Sequence, residues 1–353
     1  MNIHGDARRY EAFREERASQ SRCPHVRAIQ ASAAGGPDVL TLVDLPDPTP
    51  GPDEVLVRVA AAGINYIDTY RRRGLYYSVS FPHVVGSEGA GEVVAVGPDV
   101  TEVAVGDHVA WSSAPGSYAE LVLVRESQVL PVPVGVDLHV AAALPLQGMT
   151  AHYLVTSVFA VAPGHDVLIH AAAGGVGLLL TQLAVSRGAR VIATVGTADK
   201  ERLAREAGAA EVIRYRELDD LTRDLPASVR ALTDGQGVHV VYDSVGKDTF
   251  EASLASLRRR GTMVLFGSSS GAAPQLDPQR LNNLGSLFLT RPTLGDYTAT
   301  RDELLWRSRE LFDAVLTGSL DVRIGGTFPL AEAADAHRAL ESRSTTGKVL
   351  LLP

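Results

Sequence analysis

The chain has 353 residues, of which 45% are hydrophobic, and it carries 33 Lys and Arg residues against 41 Asp and Glu. At about 100–200 residues per domain, this length predicts two domains with separate apolar cores. The net charge of −8 disfavours nucleic acid as a main partner, because binding phosphates requires a basic face. A single cysteine, Cys23, excludes an internal disulfide and a site built from several thiolates, which fits a reducing compartment.

The first 25 residues predict a flexible or weakly helical extension, because charges of both signs dominate and large apolar side chains are few. Without an apolar stretch, this segment lacks the pattern of a signal peptide. No window of the chain offers about 20 uninterrupted apolar residues for a membrane span. We therefore expect a cytoplasmic protein that makes no use of a membrane.

From residue 26 to residue 133 the pattern predicts short strands separated by turns. VRAIQ is a first strand, two loops rich in proline and glycine follow, and EVLVRVAAAGI alternates as a half-buried strand does. Further short β-type runs predict a compact, mostly antiparallel, barrel-like domain. Residues 137–160 are alanine-rich with helical spacing and predict two linking helices.

From Asp166 onward strands and helices alternate, which predicts a parallel sheet covered by helices on both faces. VLIHA and RVIATV are the first two strands, and each is followed by a helical pattern. The tail from residue 297 adds two helices and two strands of a different pattern. We expect this tail to return to the first domain.

The strongest chemical signal is a glycine-rich run between a predicted strand and a predicted helix, HAAAGGVG at 170–177. It has the spacing of a dinucleotide fingerprint, with Ala172, Gly174 and Gly177 in its three slots. Small residues let the backbone approach a pyrophosphate, and the helix N-terminus offers free N–H groups and partial positive charge. The alternative is a tight turn that only begins a helix.

The end of the second strand indicates which dinucleotide binds. An NAD site usually places a carboxylate about 20 residues past the glycine loop, to bind the ribose hydroxyls. Here the strand ends at Val195, Gly196 and Thr197, and Lys200 follows three residues later. A missing acid with a nearby cation suits a 2′-phosphate, so NADPH is favoured over NADH.

Residues close to this strand support or oppose that assignment. Tyr215 follows the third strand, and Arg214 and Arg216 flank it as further candidate phosphate ligands. Asp199 is the opposing evidence, because it would bind the ribose if it turned inward. Alternatively, neither Asp199 nor Lys200 contacts the cofactor: Asp199 caps the next helix, and Lys200 is solvated.

At this point many motifs in the same order resemble one known family, from about Val26 to Pro353. The chain resembles the zinc-free quinone oxidoreductases, the zeta-crystallin-like branch of the medium-chain dehydrogenase/reductase superfamily. The motifs that carry the resemblance are GINYIDTYRRRGLY (63–76), GSEGAGEVVAVG (86–97), HAAAGGVG (170–177), ATVGTADK (193–200), VIRYRE (212–217), VVYDSVG (240–246), MVLFGSSSG (263–271) and LTRPTL (289–294).

The resemblance implies an α/β fold, a Rossmann dinucleotide-binding domain plus a GroES-like, mostly-β catalytic domain. Residues 26–148, completed by 297–353, would form the catalytic domain, and residues 149–296 the NADPH-binding domain, after a flexible extension at 1–25. The resemblance also implies NADPH as cofactor, a quinone as small-molecule substrate and a homodimer.

Zinc-containing relatives ligate their catalytic metal with a cysteine and a histidine, where this chain has Asn65 and Ser87. Neither is a normal zinc ligand. His83, Glu88 and His108 lie near this region at irregular spacing, which is more typical of structural or surface groups. We therefore predict no metal, and classical alcohol oxidation is disfavoured without a Lewis acid.

The resemblance implies site residues one by one. Those expected at the reacting groups are Tyr70, Tyr76, Asn65 and Thr150, with the two tyrosines stacking on the quinone. Those expected to bind NADPH are Asn65, Thr150, Tyr153, Gly174, Gly175, Val176, Gly177, Gly196, Thr197, Lys200, Tyr215, Ser244, Val245, Phe266, Gly267, Ser268, Arg291 and Arg343. As alternatives, Asn65 is a turn former and Thr150 a helix hydroxyl that bonds its own backbone.

Two other functions stay open from the sequence. One is NADPH-dependent reduction of the C=C bond of an enone or alkenal, which needs a placed proton donor. The other is a non-catalytic NADPH-binding or RNA-binding role, for which the arginine runs at 71–73 and 258–260 are the local support. Such runs are usually solvated faces.

Overall fold

The computed structural model describes residues 25–75 and 79–353. The extension predicted for residues 1–25 therefore lies outside the described residues, apart from His25, which begins the first strand. Tyr76 also lies outside the described residues.

A six-stranded parallel sheet forms the centre of one half of the molecule. Its four central strands are mostly buried and apolar, as a sheet covered on both faces requires. In spatial order the strands are Glu211–Arg214, Arg190–Val195, Asp166–Ile169, Val238–Asp243, Leu257–Leu265 and Phe288–Thr290. The helices that connect or cover them are Gly175–Ser186, Ala198–Glu206, Leu221–Leu232, Phe250–Ser256 and Gln279–Asn283.

A seven-stranded sheet organises the other half. Most neighbours are antiparallel, and the final two strands of the chain are parallel to each other. The strands are Ile324–Pro329, Lys348–Leu352, Glu54–Ile64, Glu88–Val96, His108–Trp111 and Leu130–Pro131 in order, with Leu121–Arg125 also paired to Glu54–Ile64. A separate three-stranded sheet contains Leu40–Pro46, His25–Ala31 and His83–Val84.

The tail is built into the sheet of the first half. Val349 pairs with Ile64 and Leu351 with Ala62, so the last strand lies antiparallel to strand Glu54–Ile64. Helices Arg301–Leu316 and Ala333–Glu341 belong to this tail. The tail therefore adds strands to a sheet that began almost 300 residues earlier in the chain.

The alanine-rich segment forms two short helices, Leu138–Ala143 and Pro145–Tyr153, followed by a π-helical turn at Leu154–Val158. The alanines of the two helices are fully buried, which lets the first helix lie close against the strands of the seven-stranded sheet. The second helix packs on Gly175–Ser186, the helix that follows the glycine-rich loop. Side chains of this segment pack in one continuous apolar core that also contains residues of both halves.

The sequence predicted the alternating elements of the second half closely. The helical patterns predicted after VLIHA and RVIATV form the helices Gly175–Ser186 and Ala198–Glu206. Among the described residues, no helix is both long and apolar enough to cross a membrane.

Candidate functional site

A large cleft, about 1230 Å³ in volume, runs along one edge of the parallel sheet. Parallel strands all end at this edge, and open α/β sheets bind ligands outside the carboxyl ends of their strands. The residues that follow five of the strands line the cleft: His170, Gly196, Ser244, Phe266 and Arg291. The opposite wall comes from helices Tyr66–Arg72 and Pro145–Tyr153.

The glycine-rich loop lies on the floor of the cleft and begins a helix of 12 residues at Gly175. A Cβ atom at Gly177 would lie 2.4 Å from the carbonyl oxygen of Ala171, so only glycine permits this close packing of loop and helix. Because the helix N-terminus faces the cleft, its free N–H groups fit an anionic pyrophosphate.

A half-buried glutamine, Gln147, faces this loop and was not predicted from the sequence. The Oε1 atom of Gln147 is buried without a hydrogen-bond partner among the described residues, and a Cβ at Gly175 would lie 1.9 Å from it. Its Nε2 atom donates to Asn65 Oδ1 at 3.2 Å. A buried unpartnered acceptor costs free energy, so its position fits a donor supplied by a bound ligand.

A cluster of cations lies in the cleft beyond the end of strand Arg190–Val195. Lys200 Nζ donates to the carbonyl oxygen of Arg343 at 2.6 Å, and both residues line the cleft with Tyr215. Partial burial, together with the charges of Arg216 and Arg343, lowers the pKa of Lys200. Cations held together in this way repel one another, so the arrangement fits a phosphate between them.

The neighbouring charged residues divide between the cleft and the surface. Arg214 is bound by Glu201 at 3.1 Å and by Glu217 at 2.7 Å, so it is not available as a phosphate ligand. Asp199 is exposed in the first turn of its helix and does not line the cleft. Thr197 does not line the cleft either, because its hydroxyl caps that helix by accepting from the Lys200 N–H at 3.3 Å.

The side chain of Asn65 is held at the opposite end by a buried network. Its Nδ2 atom donates to Glu88 Oε2 at 2.7 Å, and its Oδ1 atom accepts from Lys348 Nζ at 2.9 Å. Lys348 and Glu88 form an ion pair with exposed fractions of 1% and 0%. Asn65 is therefore fixed in orientation, and most of its hydrogen-bonding capacity is used within the protein.

Two residues of helix Pro145–Tyr153 face the cleft as predicted. The Thr150 hydroxyl donates to the Leu146 carbonyl at 2.7 Å, so its oxygen remains an acceptor toward the cleft. The ring of Tyr153 stacks on Tyr297 with a centroid distance of 4.5 Å. Burial raises the pKa of Tyr153, which keeps its phenol neutral.

Tyr70 lines the cleft on helix Tyr66–Arg72, as does Tyr66 one turn earlier. Their ring centroids lie 6.3 Å apart, and the Tyr66 hydroxyl donates to the Leu340 carbonyl at 3.1 Å. These two rings give the cleft an aromatic wall beside Asn65.

A buried acid lies behind this wall and was not predicted. The Asp68 carboxylate accepts from the Asn65 N–H at 2.9 Å, from the Tyr118 hydroxyl at 3.0 Å and from the Ser87 hydroxyl at 3.1 Å. Complete burial raises the pKa of Asp68, although these donors and Arg71 oppose the shift. Ser87 lines the cleft, so it connects the buried acid to the ligand space.

A second buried acid shapes the loop after strand Val238–Asp243. Asp243 Oδ1 accepts from the N–H groups of Val245 and Gly246, at 2.8 Å and 3.0 Å. Ser253 donates to the same carboxylate and lies 3.0 Å from His170 Nε2. This network orients Val245 and His170 at the edge of the cleft.

Most of the predicted cofactor residues come together in this one cleft. The predicted residues that line it are Asn65, Tyr70, Thr150, Tyr153, Gly174, Gly175, Val176, Gly177, Gly196, Lys200, Tyr215, Ser244, Val245, Phe266, Gly267, Arg291 and Arg343. Ser268 does not line it, but its Oγ accepts from Arg291 Nη2 at 3.4 Å and so helps to hold that side chain.

The residues present do not fit a zinc site. Asn65 and Ser87 are an amide and a hydroxyl bound within protein networks, and Glu88 is paired with Lys348. Over residues 25–75 and 79–353, no three His, Cys, Asp or Glu side chains are grouped so that they could hold a metal ion.

Two family models match the chain. One, described as an alcohol dehydrogenase GroES-like domain, matches residues 51–134, and the other, described as a zinc-binding dehydrogenase, matches residues 175–304. A GroES-like domain joined to a dinucleotide-binding domain with a cleft between them defines the medium-chain dehydrogenases/reductases.

Individual relatives narrow the class. A quinone oxidoreductase of Pseudomonas aeruginosa is 45% identical over 93% of this chain and 99% of the relative. A 2-haloacrylate reductase of Burkholderia is 43% identical over 93% of this chain and 99% of the relative's length. A mycobacterial structure solved with NADPH is 50% identical, with a TM-score of 0.89, over 93% of this chain and 100% of that one. The chain belongs to the quinone oxidoreductase family of the medium-chain dehydrogenases/reductases.

Proposed function

We propose that this protein is an NADPH-dependent quinone reductase, which transfers reducing equivalents from NADPH to a quinone. The observation that carries the proposal is a single cleft with three regions, each of which fits one part of NADPH or of the acceptor. A glycine loop fits a pyrophosphate, the Lys200 and Arg343 cluster fits a 2′-phosphate, and an aromatic wall at Tyr70 fits a planar acceptor. Relatives named quinone oxidoreductases and a neighbour solved with NADPH support the same function.

The protein's own contribution is binding and orientation. When bound, NADPH supplies the reducing equivalents. Gly174–Gly177 would hold the pyrophosphate. Gln147 Oε1, beside Gly175, and Thr150 Oγ1 would accept hydrogen bonds from polar hydrogens of the bound cofactor. Tyr70 would hold the quinone ring against the nicotinamide end by stacking. Catalysis then depends mainly on proximity and orientation, because the oxygens of a reduced quinone can take protons from water.

The direct experiment follows the loss of NADPH absorbance with purified protein and a panel of acceptors. We expect turnover with simple quinones, a strong preference for NADPH over NADH, and slow turnover with alkenals. Faster reduction of an alkenal than of any quinone would contradict the proposal.

A second candidate is reduction of an activated C=C bond, and one observation favours it. This reaction needs a proton at a defined carbon, and Ser87 presents a hydroxyl to the cleft that is hydrogen-bonded to the buried Asp68. The relative named 2-haloacrylate reductase fits this alternative. Turnover of a haloacrylate that is lost in Ser87→Ala, while quinone turnover persists, would support it.

Finer expectations from the family resemblance remain proposals. We propose a zinc-independent enzyme, supported by the donor chemistry at Asn65 and Ser87, that acts as a cytoplasmic homodimer. We also propose the boundaries 26–148, completed by 297–353, for the catalytic domain, and 149–296 for the NADPH-binding domain. Metal analysis and sedimentation of the purified protein test the first two points.

A further inference from the structure

The arginine run at 71–73 is not a single solvated face. Arg72 is 1% exposed, and its guanidinium lies 2.8 Å from Glu341 Oε1 and 2.9 Å from His337 Nδ1. Arg73 is exposed at the end of the helix. Arg71 lines the ligand cleft. Because successive helical residues point in different directions, the three arginines have three separate environments.

Arg71 is a cation on the cleft wall with a neutral partner. Its Nη1 atom donates to the Ser87 hydroxyl, and no carboxylate of residues 25–75 or 79–353 lies within 4.0 Å of its guanidinium. Asp68 is a compensating charge one hydrogen bond further on, because the Ser87 hydroxyl that accepts from Arg71 donates to the Asp68 carboxylate. That carboxylate already accepts from Tyr118 and from the Asn65 N–H. Arg71 is thus left with donors directed to the cleft.

The other cations of the cleft have assigned partners. Lys200 and Arg343 belong to the cluster that fits the 2′-phosphate, and Arg343 also lies 3.6 Å from Asp248. Arg291 donates to the carbonyl oxygens of Leu265 and Gly267. Arg71 instead lies one residue after Tyr70, on the wall that faces the acceptor, and nothing in the cofactor assignment uses it.

We propose that Arg71 recognises an acidic substituent on the quinone, so that the preferred acceptors carry an anionic oxygen group such as a carboxylate or a sulfonate. The inference rests on the proposed function and names the substrate class for that same cleft. A guanidinium presents a planar fork of donors that matches a carboxylate, and such charge-assisted bonds are stronger away from bulk water. Tyr70 and Arg71 both line the cleft, so a substituent on a quinone stacked on Tyr70 would lie in the same space as the Arg71 guanidinium.

The test compares naphthoquinone with naphthoquinone sulfonate as acceptors for the wild type, Arg71→Met and Arg71→Lys. For each protein we take the ratio of kcat/KM for the sulfonate to kcat/KM for the neutral quinone. The different intrinsic reactivities of the two quinones cancel when this ratio is compared between a variant and the wild type. We expect Arg71→Met to lower kcat/KM for the sulfonate roughly tenfold more than for the neutral quinone, mostly through KM. Arg71→Lys should retain part of the preference, and high salt should reduce it in the wild type.

Arg73→Met is the matched control, because it removes a neighbouring arginine that is exposed outside the cleft. Its ratio of the two kcat/KM values should equal that of the wild type. Thermal melting of each variant separates a loss of recognition from a loss of folding, which Arg71→Met risks through its contact with Ser87.

An equal loss for both quinones would overturn the inference, since Arg71 would then act on the carbonyl common to both or only support Asp68. A wild type that binds NADPH but reduces neither quinone would instead contradict the proposed function. In that case equilibrium dialysis of naphthoquinone sulfonate reports the contact without turnover. Weaker binding by Arg71→Met supports the inference, and equal binding overturns it.

Discussion

Lys348 and Glu88, which are 260 residues apart in the chain, form a buried ion pair beside the ligand cleft. Both hold Asn65, Lys348 by donating to its Oδ1 and Glu88 by accepting from its Nδ2. Glu88 also accepts from the Leu146 N–H at 2.7 Å, at the start of the helix that carries Thr150. The pair thus connects the last strand to both walls of the cleft.

Removal of one member of this pair should destabilise the fold strongly. Lys348→Met leaves the Glu88 charge buried and unpaired, so we expect the free energy of unfolding to fall by about 3–5 kcal/mol. Chemical denaturation measures the change. The double variant Glu88→Gln/Lys348→Met removes both charges, and it should be more stable than Lys348→Met alone. If the double variant is the less stable of the two, the pair is not coupled as described.

An alanine at Gly177 should damage the nucleotide loop. Its Cβ would lie 2.4 Å from the Ala171 carbonyl oxygen, so the loop and the helix must move apart. We expect a loss of about 1–3 kcal/mol in the free energy of unfolding and much weaker NADPH binding. Melting curves and a fluorescence titration with NADPH check both effects.

Gly36→Ala is the control for that variant, because an added Cβ there meets no atom within 4 Å. It should change stability by less than about 0.5 kcal/mol. Unchanged NADPH binding by Gly177→Ala would contradict the assignment of this loop to the pyrophosphate.

The choice between NADPH and NADH should depend on Lys200. Lys200→Glu places a negative charge in the cluster with Arg343 and Arg216, where the 2′-phosphate is expected. We expect KM for NADPH to rise roughly tenfold or more, while KM for NADH changes little. Steady-state kinetics with both cofactors measure the two values.

Asp199→Asn is the matched control, since Asp199 is an exposed neighbour in the same helical turn. It should leave both KM values close to those of the wild type. Equal effects of Lys200→Glu on the two cofactors would show that Lys200 does not contact the phosphate.

Stability should fall in mild acid because of His337. Burial, with a smaller contribution from the nearby Arg72 charge, lowers the pKa of His337 from 6.5 to about 3. Between these two pKa values the unfolded chain binds a proton at His337 that the native protein does not bind. The free energy of unfolding is therefore unaffected by this residue above about pH 6.5 and decreases as the pH falls toward 3. By about pH 5 we expect a loss on the order of 2 kcal/mol from this residue.

The glutamine in His337→Gln has polar side-chain atoms that can form hydrogen bonds with Tyr118 and Arg72, but it has no group that titrates. Its free energy of unfolding should depend less on pH between about 7 and 5 than that of the wild type. His139→Gln changes an exposed histidine and should keep the wild-type slope. Equal slopes for His337→Gln and the wild type would rule out a buried neutral His337.

The sequence by itself determined the parallel sheet, its helices and the glycine-rich loop. These features depend on hydrophobic periodicity and on short runs such as 170–177, where each residue's neighbours in the chain are also its neighbours in space. The absence of a carboxylate after Val195 and the position of Lys200 predicted the phosphate end of the cleft for the same reason.

Only the tertiary structure decided which polar groups meet across the cleft. Lys348 pairs with Glu88, Arg72 with Glu341, and the Gln147 oxygen faces Gly175. No periodicity marks such contacts, because their members lie on elements that are distant in the chain and meet only after both halves have folded. For the same reason, the three arginines at 71–73 were interpreted together from the sequence as a solvated face, whereas in the fold they have three different environments.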